Sequence, residues 1–150
     1  MEIYNEAIQD GTANCELGGV TLEQRLDWFR AHNERYPLWV AELGGTVVGW
    51  TCLSQYDQKP CFADTATFST YVAARYRGRH IGNRLRVHLI KQARGLGYCT
   101  IVNRVFEENV ASIELAKKYG FEKVGHMKKV ASRNGEYWDC VFYQLILKKE

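Results

Sequence analysis

The chain has 150 residues, of which 46% are hydrophobic and 25% charged, so it is expected to form one globular domain over residues 1–150. Its net charge of +3 does not by itself indicate a nucleic-acid partner, and no apolar run approaches the roughly 18–20 residues that cross a bilayer. Five scattered cysteines without CxxC spacing indicate neither a disulfide framework nor a zinc site, and the polar start is unlike a signal peptide, so a reducing, cytoplasmic setting is expected.

Two helices are predicted at the start of the chain. The first dozen residues resemble the end of a helix, because their apolar residues share one face: Ile3, Tyr4, Ala7 and Ile8. Thr21 and Gln24 form a capping box that begins a second helix, which is expected to run to about Glu34. The expected apolar face of this second helix consists of Leu22, Leu26 and Phe29.

Three strands are predicted next from their β-branched and aromatic residues. They are Leu38–Leu43, Thr46–Gln55 and Thr65–Val72. Gly44 and Gly45 are typical of a hairpin turn, so the first two strands should pair antiparallel. The segment from Asp57 to Asp64, which contains Pro60, is expected to be a loop.

The second half of the chain alternates helices and strands. A helix is predicted from a stripe of apolar residues that ends near Gly95 and Gly97: Ile81, Leu85, Leu89, Ala93 and Leu96. A strand over Tyr98–Val105 and a short helix capped by Asn109 and stopped by Gly120 should follow, and then strands over Phe121–Ala131 and Tyr137–Leu147, joined by a turn at Asn134-Gly135. The order predicts a mixed α/β (α+β) domain, largely antiparallel at first and with a β-α-β centre.

Basic residues dominate the centre of the chain, where no Asp or Glu occurs between Thr65 and Phe106. This segment contains Arg75, Arg77, Arg79, Arg84, Arg86, Lys91, Arg94 and Arg104. A positive field around an anionic ligand is one interpretation, and a solvated basic helix face is the other. A nucleic-acid groove is disfavoured, because the chain has no RNP-like aromatic set and no recognition-helix pattern.

A strand, a glycine turn and a helix start form a generic anion-binding arrangement in this segment. Gly78 and Gly82 let the backbone approach a diphosphate, the first helical amides and the helix dipole attract it, and Arg77 and Arg79 add charge. A plain strand-to-helix turn is the alternative interpretation. Neither a P-loop nor a dinucleotide-binding glycine pattern is present.

The segment Arg77–Gly82 resembles motif A of the GNAT superfamily of N-acetyltransferases, Gln/Arg-x-x-Gly-x-Gly/Ala, with His80 in place of the middle glycine. The likeness extends over nearly the whole chain toward the phosphinothricin and methionine sulfoximine acetyltransferase branch. It is carried by Ile3–Ala7, Trp28-Phe29, Tyr36–Glu42, Asn109–Leu115, Gly120-Phe121, Gly135, Asp139 and Gln144.

The resemblance implies that acetyl-CoA is the co-substrate and lies between two splayed parallel strands, Thr65–Val72 and Tyr98–Val105, with no metal involved. The pyrophosphate-binding residues would be Arg77, Gly78, Arg79, His80, Ile81 and Gly82. The pantetheine arm would run along Tyr71 and Val72 and contact Asn109 and Ser112. A backbone amide near Val72 would polarise the thioester carbonyl and stabilise the oxyanion.

The catalytic residues stay unassigned, because the chain departs from the branch where they are expected. Thr67 occupies the usual position of a glutamate base, and Ala116 the usual position of a tyrosine acid. The loop before the third strand normally holds the acceptor's carboxylate, and here its one cation is Lys59. Candidate substitutes are the phenols of Tyr71 and Tyr119, the carboxylate of Asp139, and Glu107 or Glu108 acting through water.

The branch's usual first strand is not found ahead of the first predicted helix, so the edge of the sheet is either bare or covered by another element, and a bare edge would favour a homodimer contact there. The sequence therefore predicts an enzyme that acetylates the primary amine of a small, amino-acid-like molecule. Two alternatives stay open: a non-catalytic acyl-CoA-binding module, and a protein or peptide N-terminal acetyltransferase.

Overall fold

The computed structural model describes residues 1–14, 16 and 18–148, so the prediction that concerns Cys15 lies outside the described residues. The helices and strands follow the predicted order. They are α1 (Glu2–Asp10), α2 (Leu22–Arg30), β1 (Leu38–Leu43), β2 (Thr46–Gln55), β3 (Thr65–Val72), α3 (Ile81–Gly95), β4 (Thr100–Phe106), α4 (Val110–Lys118), β5 (Glu122–Arg133) and β6 (Glu136–Ile146). Short 3-10 turns occur at Pro60–Phe62 and Ala74–Tyr76.

All six described strands form one sheet in the order β1-β2-β3-β4-β6-β5. Every neighbouring pair is antiparallel except β3 and β4, which are parallel. This parallel pairing is limited to Thr65 with Thr100 and Ala66 with Ile101, and beyond it the two strands separate. The mixed, mostly antiparallel sheet with a β-α-β centre is thus confirmed. Among the described residues no strand precedes α1, so β1 forms one edge.

The helices cover the two faces of the sheet. Side chains of a strand alternate between faces, and α3 and α4 pack against the face that carries Phe68 and Val105, where the main core lies. On the opposite face, Tyr4 of α1 contacts Tyr71, with 5.2 Å between the ring centroids. We call these two sides the α3 face and the α1 face.

The prediction for the apolar face of α2 was wrong. Leu22, Leu26 and Phe29 are 58%, 39% and 56% exposed, and the helix ends at Arg30 rather than near Glu34. Arg25 and Trp28 turn toward the sheet instead, with the guanidinium 3.7 Å from the Trp28 ring centroid. Stacking of a cation on aromatic rings therefore decides which side of this short helix packs.

The local turn and cap predictions are confirmed. Thr21 Oγ1 accepts the Gln24 amide and Gln24 Oε1 accepts the Thr21 amide, which is the capping box expected at α2. Asn134 and Gly135 both have positive φ, at 51° and 81°, as a two-residue hairpin turn requires. Within residues 1–14, 16 and 18–148, we find no helix whose length and apolar character would let it span a membrane.

Candidate active site

A cleft of about 930 Å³ opens where β3 and β4 separate. Because the strands part after Ala66 and Ile101, the edges of β3 and β4 that face each other have no strand partner over the rest of their length. The cleft extends through this gap, so that residues from both faces of the sheet line it. Its walls come from α1 and the segment after it, from β3 and β4, and from the first turns of α3 and α4.

The turn before α3 has the backbone shape that an anion site needs. Gly78 has a φ of 73°, and His80, the N-cap of α3, has a φ of 61°. His80 thus adopts the left-handed conformation that suits the glycine it replaces, and histidine is among the residues that tolerate it. Its side chain makes no capping bond, which leaves the first amides of α3 to a ligand.

The other motif residues divide between rim, wall and core. Arg79 is exposed at the rim beside Gly78 and His80, whereas Gly82 lines the cleft. Ile81 is 7% exposed and its side chain packs in the core with Val48, so it can serve a ligand only through its backbone.

Arg77 lines the cleft but is already held by protein groups. Its Nη1 lies 2.5 Å from Asp10 Oδ2, and its Nε donates to the Val72 carbonyl at 3.2 Å. Glu6 adds a second link from α1 by accepting the Ala74 amide at 2.9 Å. Helix α1 therefore holds the turn after β3 in place, a contact that joins residues more than 60 positions apart.

The residues expected along the pantetheine arm all line the cleft: Tyr71, Val72, Asn109 and Ser112. Asn109 is the N-cap of α4, as predicted, and its Oδ1 accepts the Ser112 amide at 3.1 Å. Burial raises the pKa of Tyr71 to about 12. Because the phenol keeps its proton at neutral pH, Tyr71 can donate a hydrogen bond but cannot serve as a base.

The α1 face of the cleft carries polar side chains and the guanidinium of Arg104. Thr67 lies there opposite Ser54, and both line the cleft. Arg104 follows on the same face of β4, is exposed, and pairs with Phe142 of β6. The structure gives Arg104 no ion pair among the described residues.

Several of the residues predicted for catalysis or acceptor binding do not line this cleft. Lys59 is exposed in the loop before β3, where its amide bonds Asp57 Oδ1. The Tyr119 hydroxyl donates to Asn83 at 3.1 Å. Asp139 does not line the cleft, and its carboxylate is bonded to β5.

Asp139 instead holds an irregular stretch of β5. It accepts the Lys129 amide at 2.7 Å, where the β5 register shifts and Lys129 has a φ of 54°, and it bonds His126 at 2.9 Å. The Lys129 amide, followed by His126, holds the pKa of this carboxyl below its usual range. Glu107, His126 and Asp139 place ligand atoms within 4.8 Å of one another, a group of the size that could surround a metal ion.

Sequence reasoning missed two buried polar side chains that line the cleft from the α3 face. Arg86 is 2% exposed and Asn103 is 5% exposed. Arg86 Nε and Nη1 and Asn103 Nδ2 have no hydrogen-bond partner among the described residues. The available signal was the spacing, since Arg86 follows Gly82 by four positions and so lies on the same side of α3.

Glu16 is a third residue that the sequence did not single out. The cleft-lining carboxylates among the described residues are Asp10 and Glu16, and Asp10 is paired with Arg77. Glu16 is exposed in the segment after α1, where its amide bonds Asn14 Oδ1 at 3.1 Å.

Comparisons with known proteins give a consistent result. The model of the Acetyltransferase (GNAT) family matches residues 2–121. An L-methionine sulfoximine/L-methionine sulfone acetyltransferase of Pseudomonas paraeruginosa is 34% identical over 98% of this chain and 87% of that protein.

Two solved structures are similar over nearly the full chain. The yncA acetyltransferase of Salmonella typhimurium, solved with its cofactor acetyl-CoA, has a TM-score of 0.93 and 31% identity over 99% of this chain and 87% of its own. A phosphinothricin acetyltransferase from Sinorhizobium meliloti in complex with acetyl-CoA has a TM-score of 0.90 and 28% identity, over 97% of this chain and 80% of its own.

Proposed function

This chain belongs to the GNAT family of acetyltransferases, and from that premise we propose that it transfers the acetyl group of acetyl-CoA to the primary amine of a small amino acid or a close analogue. Acetyl-CoA is the co-substrate, consistent with the bound cofactor in similar structures. The relatives named above act on methionine sulfoximine, methionine sulfone and phosphinothricin, which all carry an amino group beside a carboxylate.

The position of Arg104 is the observation that supports an amino acid as the acceptor. A site for an amino acid needs a cation for the carboxylate, and a bidentate guanidinium suits that group well. Of the cleft-lining arginines, Arg77 is held by Asp10 and Arg86 is on the α3 face, which leaves Arg104 on the α1 face. Phe142 beside it supplies apolar surface for the acceptor's side chain.

Different groups around the acceptor have different roles in the proposed reaction. The amine attacks the thioester carbon, and a backbone amide near Val72 stabilises the oxyanion that forms. Thr67 cannot accept a proton at neutral pH, so we assign this role to Glu16, directly or through water, because it is the cleft-lining carboxylate that forms no ion pair among the described residues. The nearby charge of Arg25 also attracts this carboxylate. Tyr71, as a phenol, can orient the amine by a hydrogen bond.

Thiol release by the purified protein tests the proposal with a panel of acceptors. The panel contains L-methionine sulfoximine, phosphinothricin, ordinary L-amino acids, their decarboxylated amines and short peptides with a free amino terminus. We expect turnover with one or more of the amino acids, and a KM that rises about 10- to 100-fold when the carboxylate is removed.

Arg104→Met should raise the KM of the amino acid by the same factor and leave that of acetyl-CoA unchanged. Lys59→Met is the matched control, because it removes one positive charge outside the cleft. Turnover of peptides alone would support an N-terminal acetyltransferase, and acetyl-CoA binding without turnover of any acceptor would support a non-catalytic module. Either result contradicts the proposal.

We also propose that the protein works as a homodimer in the cytoplasm. The dimer is supported by the edge strand β1, which a second copy could pair with, and by the apolar residues that α2 exposes. The cytoplasmic setting is supported by the four described cysteines, which are all free.

A further inference from the structure

Arg86 is the most deeply buried charge among the described residues that line the cleft. Its side chain is on α3, one turn after Gly82, and is 2% exposed. Its Nε and Nη1 have no hydrogen-bond partner among the described residues. A buried guanidinium without a carboxylate destabilises a folded protein, so its presence beside a ligand cleft indicates that the ligand supplies the missing partner.

Two aromatic rings and one phenol are the described neighbours that act on the Arg86 guanidinium. The guanidinium carbon lies 4.1 Å from the Phe68 ring centroid and 5.5 Å from that of Phe121. Tyr119, at the end of α4, is the titratable group whose field reaches it. Burial lowers the pKa of Arg86 to about 10, so the side chain still carries its charge at neutral pH.

Arg86 also lies near the place where the chain lacks a catalytic acid. Ala116 is fully buried in the same core cluster as Phe68 and Phe121, the two rings under the guanidinium. A tyrosine at position 116 would bring a phenol toward this cluster, and the alanine leaves that space to other side chains. The arginine therefore brings positive charge to a region where position 116 supplies no acid, and the nearby Tyr119 phenol is held by Asn83.

The course of the cofactor leads its sulfur to this point. In the proposed function, the arm enters past Gly82 and Ser112 on the α3 face and follows β3 toward the place where the strands part. The acetyl group must face the amine on the α1 face, so the sulfur remains on the α3 side of the gap. Phe68, which lies under the guanidinium, is two residues past the last paired residue of β3, Ala66.

We propose that Arg86 binds the sulfur of CoA and stabilises the thiolate that leaves during acetyl transfer. The amine nitrogen forms a bond to the acetyl carbon, the carbon–sulfur bond breaks, and its electron pair stays on sulfur as a thiolate beside the guanidinium. The amine loses its proton to the cleft carboxylate or water, and the thiolate takes up a proton after CoA leaves. Arg86 acts by charge and donates no proton.

The first experiment uses the wild-type protein and depends only on CoA binding. Affinities for CoA and for desulfo-CoA, which lacks the thiol, are measured by calorimetry from acid to alkaline pH. If Arg86 favours the thiolate, the affinity ratio of CoA to desulfo-CoA should rise at least tenfold as pH approaches the ordinary thiol pKa of about 8.5. Because both ligands share every group except the thiol, the ratio removes pH effects from protein groups that act on the rest of the cofactor.

The second experiment changes the residue. Arg86→Met should flatten the ratio and lower kcat about a hundredfold, the effect of losing one oxyanion-type contact, and should leave the KM of the amine unchanged. Its thermal midpoint should stay level or rise, because an unpaired buried charge has been removed. Arg86→Lys should restore part of the rise of the affinity ratio with pH. Arg94→Met removes an exposed charge on the same helix and should change neither this rise nor kcat.

The possible failures can be told apart. A protein that binds neither CoA nor desulfo-CoA contradicts the proposed function on which this inference rests. If the wild-type protein binds both with an affinity ratio that does not change with pH, only the role of Arg86 is contradicted. The same conclusion follows if Arg86→Met has a lower thermal midpoint but the same pH dependence of this ratio as wild type. If that variant does not fold, the wild-type ratio still decides.

Discussion

At the scale of single residues, His80 shows how backbone conformation can preserve a motif whose side chain has changed. In the turn that is predicted to bind the pyrophosphate, a left-handed backbone favours glycine at the middle position, and His80 adopts that conformation at a φ of 61°. Its imidazole points out at the rim, where it leaves the amides of α3 free. The substitution therefore alters the rim of the site rather than the shape of its loop.

Asp139 belongs to the structure of the β5–β6 hairpin rather than to the cleft. Its carboxylate holds the Lys129 amide where the strand register shifts. Because the folded state lowers the pKa of this group, its contribution to stability is full above the unfolded value of 3.8 and is lost as pH falls through the lower folded value.

Asp139→Asn should therefore lower the thermal midpoint at pH 7, and the difference from wild type should shrink in acid, below roughly pH 4. Thermal unfolding followed by circular dichroism across this range checks it. Asp27→Asn, an exposed carboxylate on α2, is the control and should show little difference at any pH. A gap between Asp139→Asn and wild type that stays constant down to the lowest pH would contradict the assignment.

At the scale of elements, the cleft depends on how closely β2, β3 and α3 approach one another. Gly49 of β2 pairs with Val72, and a Cβ built on it would lie 2.9 Å from the Tyr71 carbonyl oxygen and 3.2 Å from Leu85 Cδ1. The Tyr71 carbonyl belongs to the backbone of β3, which is expected to hold the pantetheine arm, and Leu85 is a buried side chain of α3. A side chain here would push apart the two elements that form the cofactor wall.

Gly49→Ala should thus destabilise the protein by about 1–3 kcal/mol, as overpacking does, and lower the thermal midpoint by several degrees. It should also weaken acetyl-CoA binding, because β3 or α3 must move. Gly95→Ala is the control, since its Cβ would meet nothing within 4 Å at the end of α3. Equal midpoints for Gly49→Ala and wild type would show that the contact relaxes without strain.

At the scale of the whole molecule, the exposed side of α2 and the edge strand β1 remain to be explained. Phe29 of α2 is 56% exposed and Val40 of β1 is 52% exposed. The homodimer proposed above would bury them.

Light scattering of the purified protein should give twice the mass of one chain, and Phe29→Glu should shift it to the mass of a single chain at equal concentration. Val124→Glu, which alters an exposed apolar residue on β5, is the control and should leave the dimer intact. A wild-type protein that remains a monomer at high concentration would contradict the proposal.

Signals within a few residues of one another were enough to predict the elements from the sequence. The capping box at Thr21, the cap at Asn109 and the turn at Asn134-Gly135 each depend on bonds between near neighbours, so they are found as predicted. The strand bounds agree within two residues for the same reason, since alternation and turn residues fix them locally. The family likeness follows from the order of these local patterns.

Only the tertiary structure decided which charges are buried and which helix face packs. The outward turn of Leu26, the pairing of Asp10 with Arg77 and the burial of Arg86 each depend on residues distant in sequence. An arginine in a basic run has the same local pattern whether it is solvated or enclosed between Phe68 and Phe121. The sequence by itself thus determined the elements and predicted the cofactor turn, and long-range packing determined where the unpaired charge lies, because desolvation depends on the whole fold and not on neighbouring residues.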